Sequence, residues 1–176
     1  FLFFLCYSCG FYSMAGSIPA HIKSVSIPLM INETAEYGLE QTVTNKVLEK
    51  FNERGILKIL DRKFADSIIK GTISKIDEGP YIYNKEESIS EYRYKVYLKL
   101  EWYDVLNDKN LISKTYSGFG SYGLNGDISN DGIDNDNDGK IDNLDDDEFG
   151  EPRIFAAEVA MEKIAEDIMN DIMTTW

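Results

Sequence analysis

The chain has 176 residues, 43% of them apolar and 28% charged. That is the make-up of one ordinary globular domain with a buried core, and no domain-sized repeat or membrane-spanning apolar run follows residue 10. The net charge of −13 leaves no nucleic-acid partner expected, but the acidity is local: ten acidic residues stand between Asp127 and Glu148 against Lys140 alone, and the rest of the chain is close to neutral.

The chain opens on "FLFFLCYSCG", an apolar run without an initiator Met or a basic leader, which reads as the end of a secretory signal over residues 1–8. "CYSCG" resembles a bacterial lipobox. Ser8 occupies the small position before Cys9, the residue that would be lipidated, although Cys6 stands where Leu is usual. A Cys-x-x-Cys redox pair and two buried thiols are the other readings; a redox pair normally opens a helix beside a βαβ core, and no such pattern follows. Acylation of Cys9 would remove Cys6 with the signal and leave no disulfide. Several acyl chains on one residue would then anchor the protein in lipid, because a single chain binds only marginally. By resemblance to sorted lipoproteins, Gly10 after the cysteine points to the outer membrane.

Residues 23–30, "KSVSIPLM", alternate with Val25, Ile27 and Leu29 on one face, which predicts a strand with Pro28 at its end or edge. "Asn32-Glu33-Thr34" would be a glycosylation acceptor in a eukaryotic secreted protein, and in a bacterial lipoprotein is the polar entry to the next helix. That helix is predicted from "GLEQTVTNKVLEKFNERG", where Leu39, Val43, Val47 and Phe51 recur every four residues and Gly55 stands at the C-terminal cap. "ILKIL" (56–60) and "DSIIKGTISKI" (66–76) are β-branched runs between polar turns, and at least the second is a strand. The strongest pattern is Tyr92, Tyr94, Val96, Leu98, Leu100 and Trp102 on one face against Arg93, Lys95, Tyr97, Lys99 and Glu101 on the other. "NDKN" (107–110) then turns the chain into "LISKTYSGFGSYG" as the second strand of a hairpin.

The acidic segment follows, and its order is specific. Counting from Asp134, "DNDNDGKIDNLD" puts Asp134, Asp136 and Asp138 at positions 1, 3 and 5, Gly139 at 6, the carbonyl of Lys140 at 7, Ile141 at 8, Asp142 at 9 and Asp145 at 12. This is the EF-hand loop pattern, in which alternate carboxylates converge on Ca²⁺ because glycine allows a sharp turn. It also resembles dockerin and thrombospondin type 3 calcium repeats. Asp145 has a shorter reach than the usual Glu, Asp146 could replace it, and Asp127, Ser129, Asp131 and Gly132 form a partial upstream copy. The alternative is an acidic low-complexity linker.

After it, Pro152 opens a second helix where its missing donor costs nothing, with Ala157, Met161, Ile164, Ile168 and Ile172 in one stripe opposite Glu158, Glu162, Glu166 and Asp167. The expected fold is α+β, a two-layer sandwich with an about four-stranded sheet and two helices packed on one face. Residues 9–176 form a single domain, with the acidic calcium-loop insertion at 125–150.

Catalysis has little to stand on. His21 is the one histidine, with no nucleophile elbow, phosphate loop or His-rich metal motif around it, and the carboxylates are gathered in one loop.

"CGFYS", "HIKSVSIPLMINETAEYGLEQTVTNKVLEKF", "ADSIIKGTI", the Tyr-rich hairpin closing on "GFGSYG", and "AAEVAMEKIAEDIMNDIMTTW" together resemble the LptE family, over residues 9–123 and 151–176. The resemblance rests on order and spacing rather than on any single motif. It implies a non-enzymatic outer-membrane lipoprotein of a diderm bacterium that plugs an LptD-like β-barrel, assists its folding and helps deliver lipopolysaccharide. Arg93, Lys95 and Lys99, opposite the apolar face, could then meet lipid A phosphates, the alternative being a solvated sheet face. A different class of function remains open beside it: a calcium-dependent binding or adhesion module on a surface lipoprotein, with the acidic loop as its working part.

Overall fold

The computed structural model describes residues 18–85, 87–123, 132, 134, 139–141 and 151–174. In chain order these form β1 (Ser24–Ser26), β2 (Ile31–Asn32), α1 (Leu39–Arg54), β3 (Lys58–Ile59), β4 (Ser67–Tyr83), β5 (Ile89–Asp104), β6 (Lys109–Gly123) and α2 (Pro152–Thr174). One six-stranded sheet has the order β3-β1-β4-β5-β6, with β2 also on β4. The first three strands pair in parallel and the long ones antiparallel.

The α+β class is as expected, but the sheet has six strands rather than about four. A strand of two residues is too short to show an alternation, so β2 leaves no clear trace in the sequence, while β3 is a two-residue piece of the "ILKIL" run. The predicted strand over 23–30 shrinks for a related reason. The chain leaves the sheet after Ser26 and rejoins it at Ile31, so Leu29 ends 58% exposed while Met30 is buried. Met30 lies over Gly71, where an added Cβ would stand 2.5 Å from its Sδ, and its backbone N–H donates to Thr44 Oγ1 at 3.0 Å.

β4 runs seven residues past the predicted end at Ile76, through Gly79 and Pro80. Proline is tolerated here because β4 is an edge in this stretch: among the described residues its outer side is paired only as far as Ile73. β5 alternates as predicted, with Tyr94, Val96, Leu98, Leu100 and Trp102 all buried.

Both helices cover that buried face. Val43, Val47 and Phe51 of α1 join one core with the even-numbered residues of β5 and with Ile164, Ile168 and Ile172 of α2. Gly55 ends α1 in the left-handed conformation at φ +59°, its N–H donating to Phe51 O at 3.0 Å. Charges lock the helices to each other: Glu162 of α2 pairs with Lys50 and with Lys46, the latter at 3.2 Å.

α2 sits on β6 almost backbone to backbone. A Cβ on Gly118 would lie 2.1 Å from Ala160 O, and one on Gly120 would lie 2.3 Å from Ala156 O. Glycine on the strand and alanine on the helix are what permit this distance, since any larger pair would push the layers apart.

The chain between β6 and α2 carries the acidic insertion, and its two ends are fastened to one carboxylate. Glu78 of β4 accepts from Tyr122 Oη at the end of β6, and from Arg153 Nε (2.8 Å) and Nη2 (3.0 Å) at the start of α2. Arg153 also donates to Glu36 Oε1 at 2.5 Å and lies 4.9 Å from the Tyr94 ring centre. A cation in the first turn of a helix opposes the helix dipole, so these carboxylates offset an otherwise unfavourable position.

Gly118→Val is expected to destabilise the fold by about 3 kcal/mol, the upper end of overpacking, because the clash is with helix backbone rather than with a movable side chain. Thermal unfolding followed by circular dichroism should show a midpoint lower by roughly 10 °C for a domain of this size.

Acid should weaken the same frame. Burial pushes the Glu78 carboxyl up, but its bonds to Arg153 and Tyr122 outweigh this and hold it below the usual range. Lys114 and Tyr116 likewise hold Asp171 down against burial. Carboxyls depressed in the folded state contribute stability that is present above their unfolded pKa and is lost as pH falls through the folded one. The melting temperature should therefore hold steady above the ordinary carboxylate values near pH ~4 and drop below them. Arg153→Gln should shrink that drop, and an unchanged acid limb in this variant would show that the Glu78 cluster contributes nothing to it.

Candidate functional site

The face of the sheet turned away from the helices is uncovered among the described residues, and the odd-numbered residues of β5 line it. Arg93, Lys95 and Lys99 therefore share one surface, as their spacing requires. Register adds what the single strand could not reveal. Gly79 and Ser121 flank Arg93, Asp77 and Phe119 flank Lys95, and Thr72 and Thr115 flank Lys99.

Cations and aromatic rings interleave here. The Arg93 guanidinium carbon lies 5.5 Å from the Tyr81 ring centre and 5.9 Å from that of Phe119. Tyr81 and Phe119 meet edge to face at 5.9 Å, and Lys163 of α2 reaches the same Phe119 ring at 5.3 Å. Tyr97 stands between Lys95 (5.0 Å) and Lys75 (5.5 Å), and Lys70 lies 5.8 Å from the Tyr103 ring. Lys75 is paired with Asp77 at 3.4 Å, whereas rings placed beside Arg93 and Lys95 hold them in position without neutralising them.

Between Lys70 and Gly79 on β4, and Arg93 and Glu101 on β5, this face carries Lys70, Lys75, Arg93, Lys95 and Lys99 against Asp77 and Glu101. It is thus net positive in a chain of net charge −13. Near its margin a groove of about 430 Å³ is lined by Leu29, Ile31, Arg62, Lys70, Thr72 and Lys99. Glu101 lines it too, so two exposed apolar side chains stand beside three cations and one carboxylate, a mixed lining that suits an anionic amphiphile better than a simple ion. The sequence pattern supplied Arg93, Lys95 and Lys99; Lys70, Lys75, Tyr81, Phe119 and Lys163 were missed because they lie on other elements. The polar alternation Ser113, Thr115, Ser117 in β6 is the signal that could have placed Phe119 with them.

His21 is tied into the edge of the sheet. Its Nε2 lies 2.8 Å from Oδ2 of Asp104, a fully buried carboxylate that also accepts from the backbone N–H groups of Leu106 and Asn107. This is a structural tie at the edge of the sheet.

The structure describes only part of the acidic segment. The Gly139 N–H donates to Asp134 Oδ2 at 3.0 Å, and Gly139 has φ +96°. Lys140 follows it, whereas Asp136, Asp138, Asp142 and Asp145, together with the lipidation candidate Cys9, lie outside the described residues. Among the described residues no three His, Cys, Asp or Glu side chains come together as metal ligands.

Comparison with known proteins bears on the whole chain. A search of curated proteins gives no match. Among solved structures, the fold is similar to protein XCC0632 of Xanthomonas campestris (TM-score 0.54, 9% identity, 90% of each chain covered). It is also similar to the hypothetical protein CT253 of Chlamydia trachomatis (TM-score 0.53, 10% identity, 86% of this chain and 98% of that one). A third is the lipoprotein B of Nitrosomonas europaea (TM-score 0.51, 8% identity, 88% and 84%). At these identities the likeness concerns the fold alone. The family model for LptE, described as lipopolysaccharide-assembly, matches residues 22–175, which takes in both helices and all six strands. The chain belongs to the LptE lipopolysaccharide-assembly family.

Proposed function

We propose that the protein is the lipoprotein subunit of a lipopolysaccharide-assembly complex in the outer membrane, anchored through Cys9 and docked in an LptD-like β-barrel. The family match over residues 22–175 carries this reading, and a non-catalytic role agrees with it. The geometry supports a division of labour. The helices use up one sheet face in the core and leave the other for a partner. On that open face Arg93, Lys95 and Lys99 would contact phosphates of lipopolysaccharide, with Tyr81, Tyr97 and Phe119 against its sugars and acyl chains.

Co-purification tests the assembly. The tagged full chain, extracted from membranes in mild detergent, should bring down a large outer-membrane barrel. The triple variant Arg93→Glu, Lys95→Glu, Lys99→Glu should keep its fold and lose lipopolysaccharide affinity by about tenfold or more, which corresponds to about 1.4 kcal/mol. Absence of a barrel in the eluate would sink the assembly role, and unchanged affinity in the variant would clear the open face of ligand contact.

We further propose that the acidic insertion binds Ca²⁺ through Asp134, Asp136, Asp138, the Lys140 carbonyl, Asp142 and Asp145, as a structural ion. The left-handed Gly139 and its bond to Asp134 are what this loop pattern asks of positions 6 and 1. Affinity should be modest, on the order of 10⁻⁴ to 10⁻³ M as in extracellular modules. Calorimetric titration of the chain with calcium should give a saturating heat that vanishes in Asp136→Ala plus Asp138→Ala; equal heats from both proteins would remove the site.

A further inference from the structure

Two loops at one end of the sheet expose large apolar side chains where polar ones are the rule. The first joins β3 to β4 and the second joins β5 to β6. They are bound to each other, since the Val105 N–H donates to Asp66 O at 3.0 Å and Ser67 pairs with Asp104. From this joined tip Phe64 is 72% exposed, Leu106 73% and Val105 45%. A lone exposed leucine needs no explanation, but three such side chains on contiguous loops form a patch. Arg62, Lys63 and Lys109 are exposed beside it. Its exposed acids are Asp61 and Asp108, and Asp108 is engaged by the Tyr103 hydroxyl.

What covers this patch is indicated by where the chain enters and by where its charge lies. The residues leading into β1 are fastened at this end: His21 to Asp104 at 2.8 Å, and the Lys23 N–H to Asp66 Oδ2 at 2.9 Å. The chain at His21 therefore stands beside the patch, and the twelve residues from His21 back to Cys9 can span at most about 43 Å. The acidic segment starts and ends at the opposite end of the sheet, where Gly123 pairs with Glu91 and Arg153 holds Glu78. At the loop end itself the exposed charges are Arg62, Lys63 and Lys109 against Asp61 and Asp108, so an anionic surface approaching it meets a net positive rim.

We propose that this end of the protein is a membrane-contact face, with Phe64, Val105 and Leu106 entering the interfacial layer of a bilayer and Arg62, Lys63 and Lys109 lying on the phosphates of anionic phospholipid. Apolar tips ringed by long basic side chains fit that boundary, because the tips leave water while the charged ends stay at headgroup level. A lipid attached upstream would then act together with this face, two weak signals making one stable and oriented anchor. Arg62 also lines the groove beside the open sheet face, but Phe64, Val105, Leu106, Lys63 and Lys109 do not, and the proposal does not rest on that face's ligand.

Co-sedimentation with vesicles tests it, using the full chain carrying Cys9→Ser so that no acyl group contributes. The chain should sediment with phosphatidylcholine vesicles containing phosphatidylglycerol, more weakly with phosphatidylcholine alone, and less as salt rises. Phe64→Ser plus Leu106→Ser should weaken binding by about tenfold or more. Both side chains are exposed, so an unchanged circular dichroism spectrum is expected and keeps the comparison fair. Phe64→Ser plus Leu106→Ser should leave lipopolysaccharide affinity unchanged, which separates this proposal from the lipopolysaccharide reading. No binding to the anionic vesicles, or equal binding by the chain and its Phe64/Leu106 variant, overturns the membrane face. If that variant instead spares vesicle binding and abolishes a complex with another protein, the patch is a protein interface and the proposal is equally overturned.

Discussion

The close seat of α2 on β6 is the constraint from which the other features of the molecule follow. Gly118 and Gly120 let the backbone carbonyls of Ala160 and Ala156 approach to distances that no β-carbon would allow. With α2 held that low at the β6 edge, the larger side chains fill the space further in: Tyr94, Leu98, Leu100 and Trp102 from β5, Phe51 from α1, and Met161, Ile164 and Ile168 from α2. The two helices among the described residues both lie on one side. No described helix is left to cover the opposite face, so its alternate residues escape the core's demand for apolar side chains and can be Lys, Arg, Tyr and Thr.

The same seat explains why a long acidic excursion can be accommodated between β6 and α2. A connection there joins two elements already in contact, and Glu78 binds Tyr122 and Arg153 on either side of it. Added chain at a closed neck costs only slowly growing loop entropy and strains nothing beneath it.

Much of this was legible in the sequence because long periodic elements carry redundant information. Val43, Val47 and Phe51 fix the buried side of α1, and eleven alternating residues of β5 fix both faces of the sheet. β1 and β3 fall inside runs read as apolar and β-branched, but β2 and the parallel pairing of all three were not legible, since that pairing depends on contacts far apart in sequence. Leu29 misled for that reason: its alternation with Val25 and Ile27 continues in the sequence across a point where the backbone has left the sheet. The "GFG" of β6 was read only as the end of a partner strand. Its glycines acquire a meaning once α2 is laid across them, and no local pattern announces that. Arg93, Lys95 and Lys99 were placed correctly on one face, but the aromatic rings that brace them come from β4 and β6 through strand register.

The two layers of the sandwich carry opposite charge, and this bears on how the body would meet a partner. Glu49 and Glu53 of α1 and Glu158, Glu166 and Asp167 of α2 are exposed on the helices, while Lys46 and Lys50 are drawn to Glu162. On the sheet side, Lys70, Lys75, Arg93, Lys95 and Lys99 outnumber Asp77 and Glu101. A phosphate-bearing ligand is then repelled by one side and attracted by the other, so the field orients it before contact. Burial of one sheet face by helices thus has a chemical consequence as well as a mechanical one. It leaves the uncovered sheet face of an acidic protein net positive and ring-braced, the kind of surface on which a large anionic amphiphile would be held by many weak contacts at once.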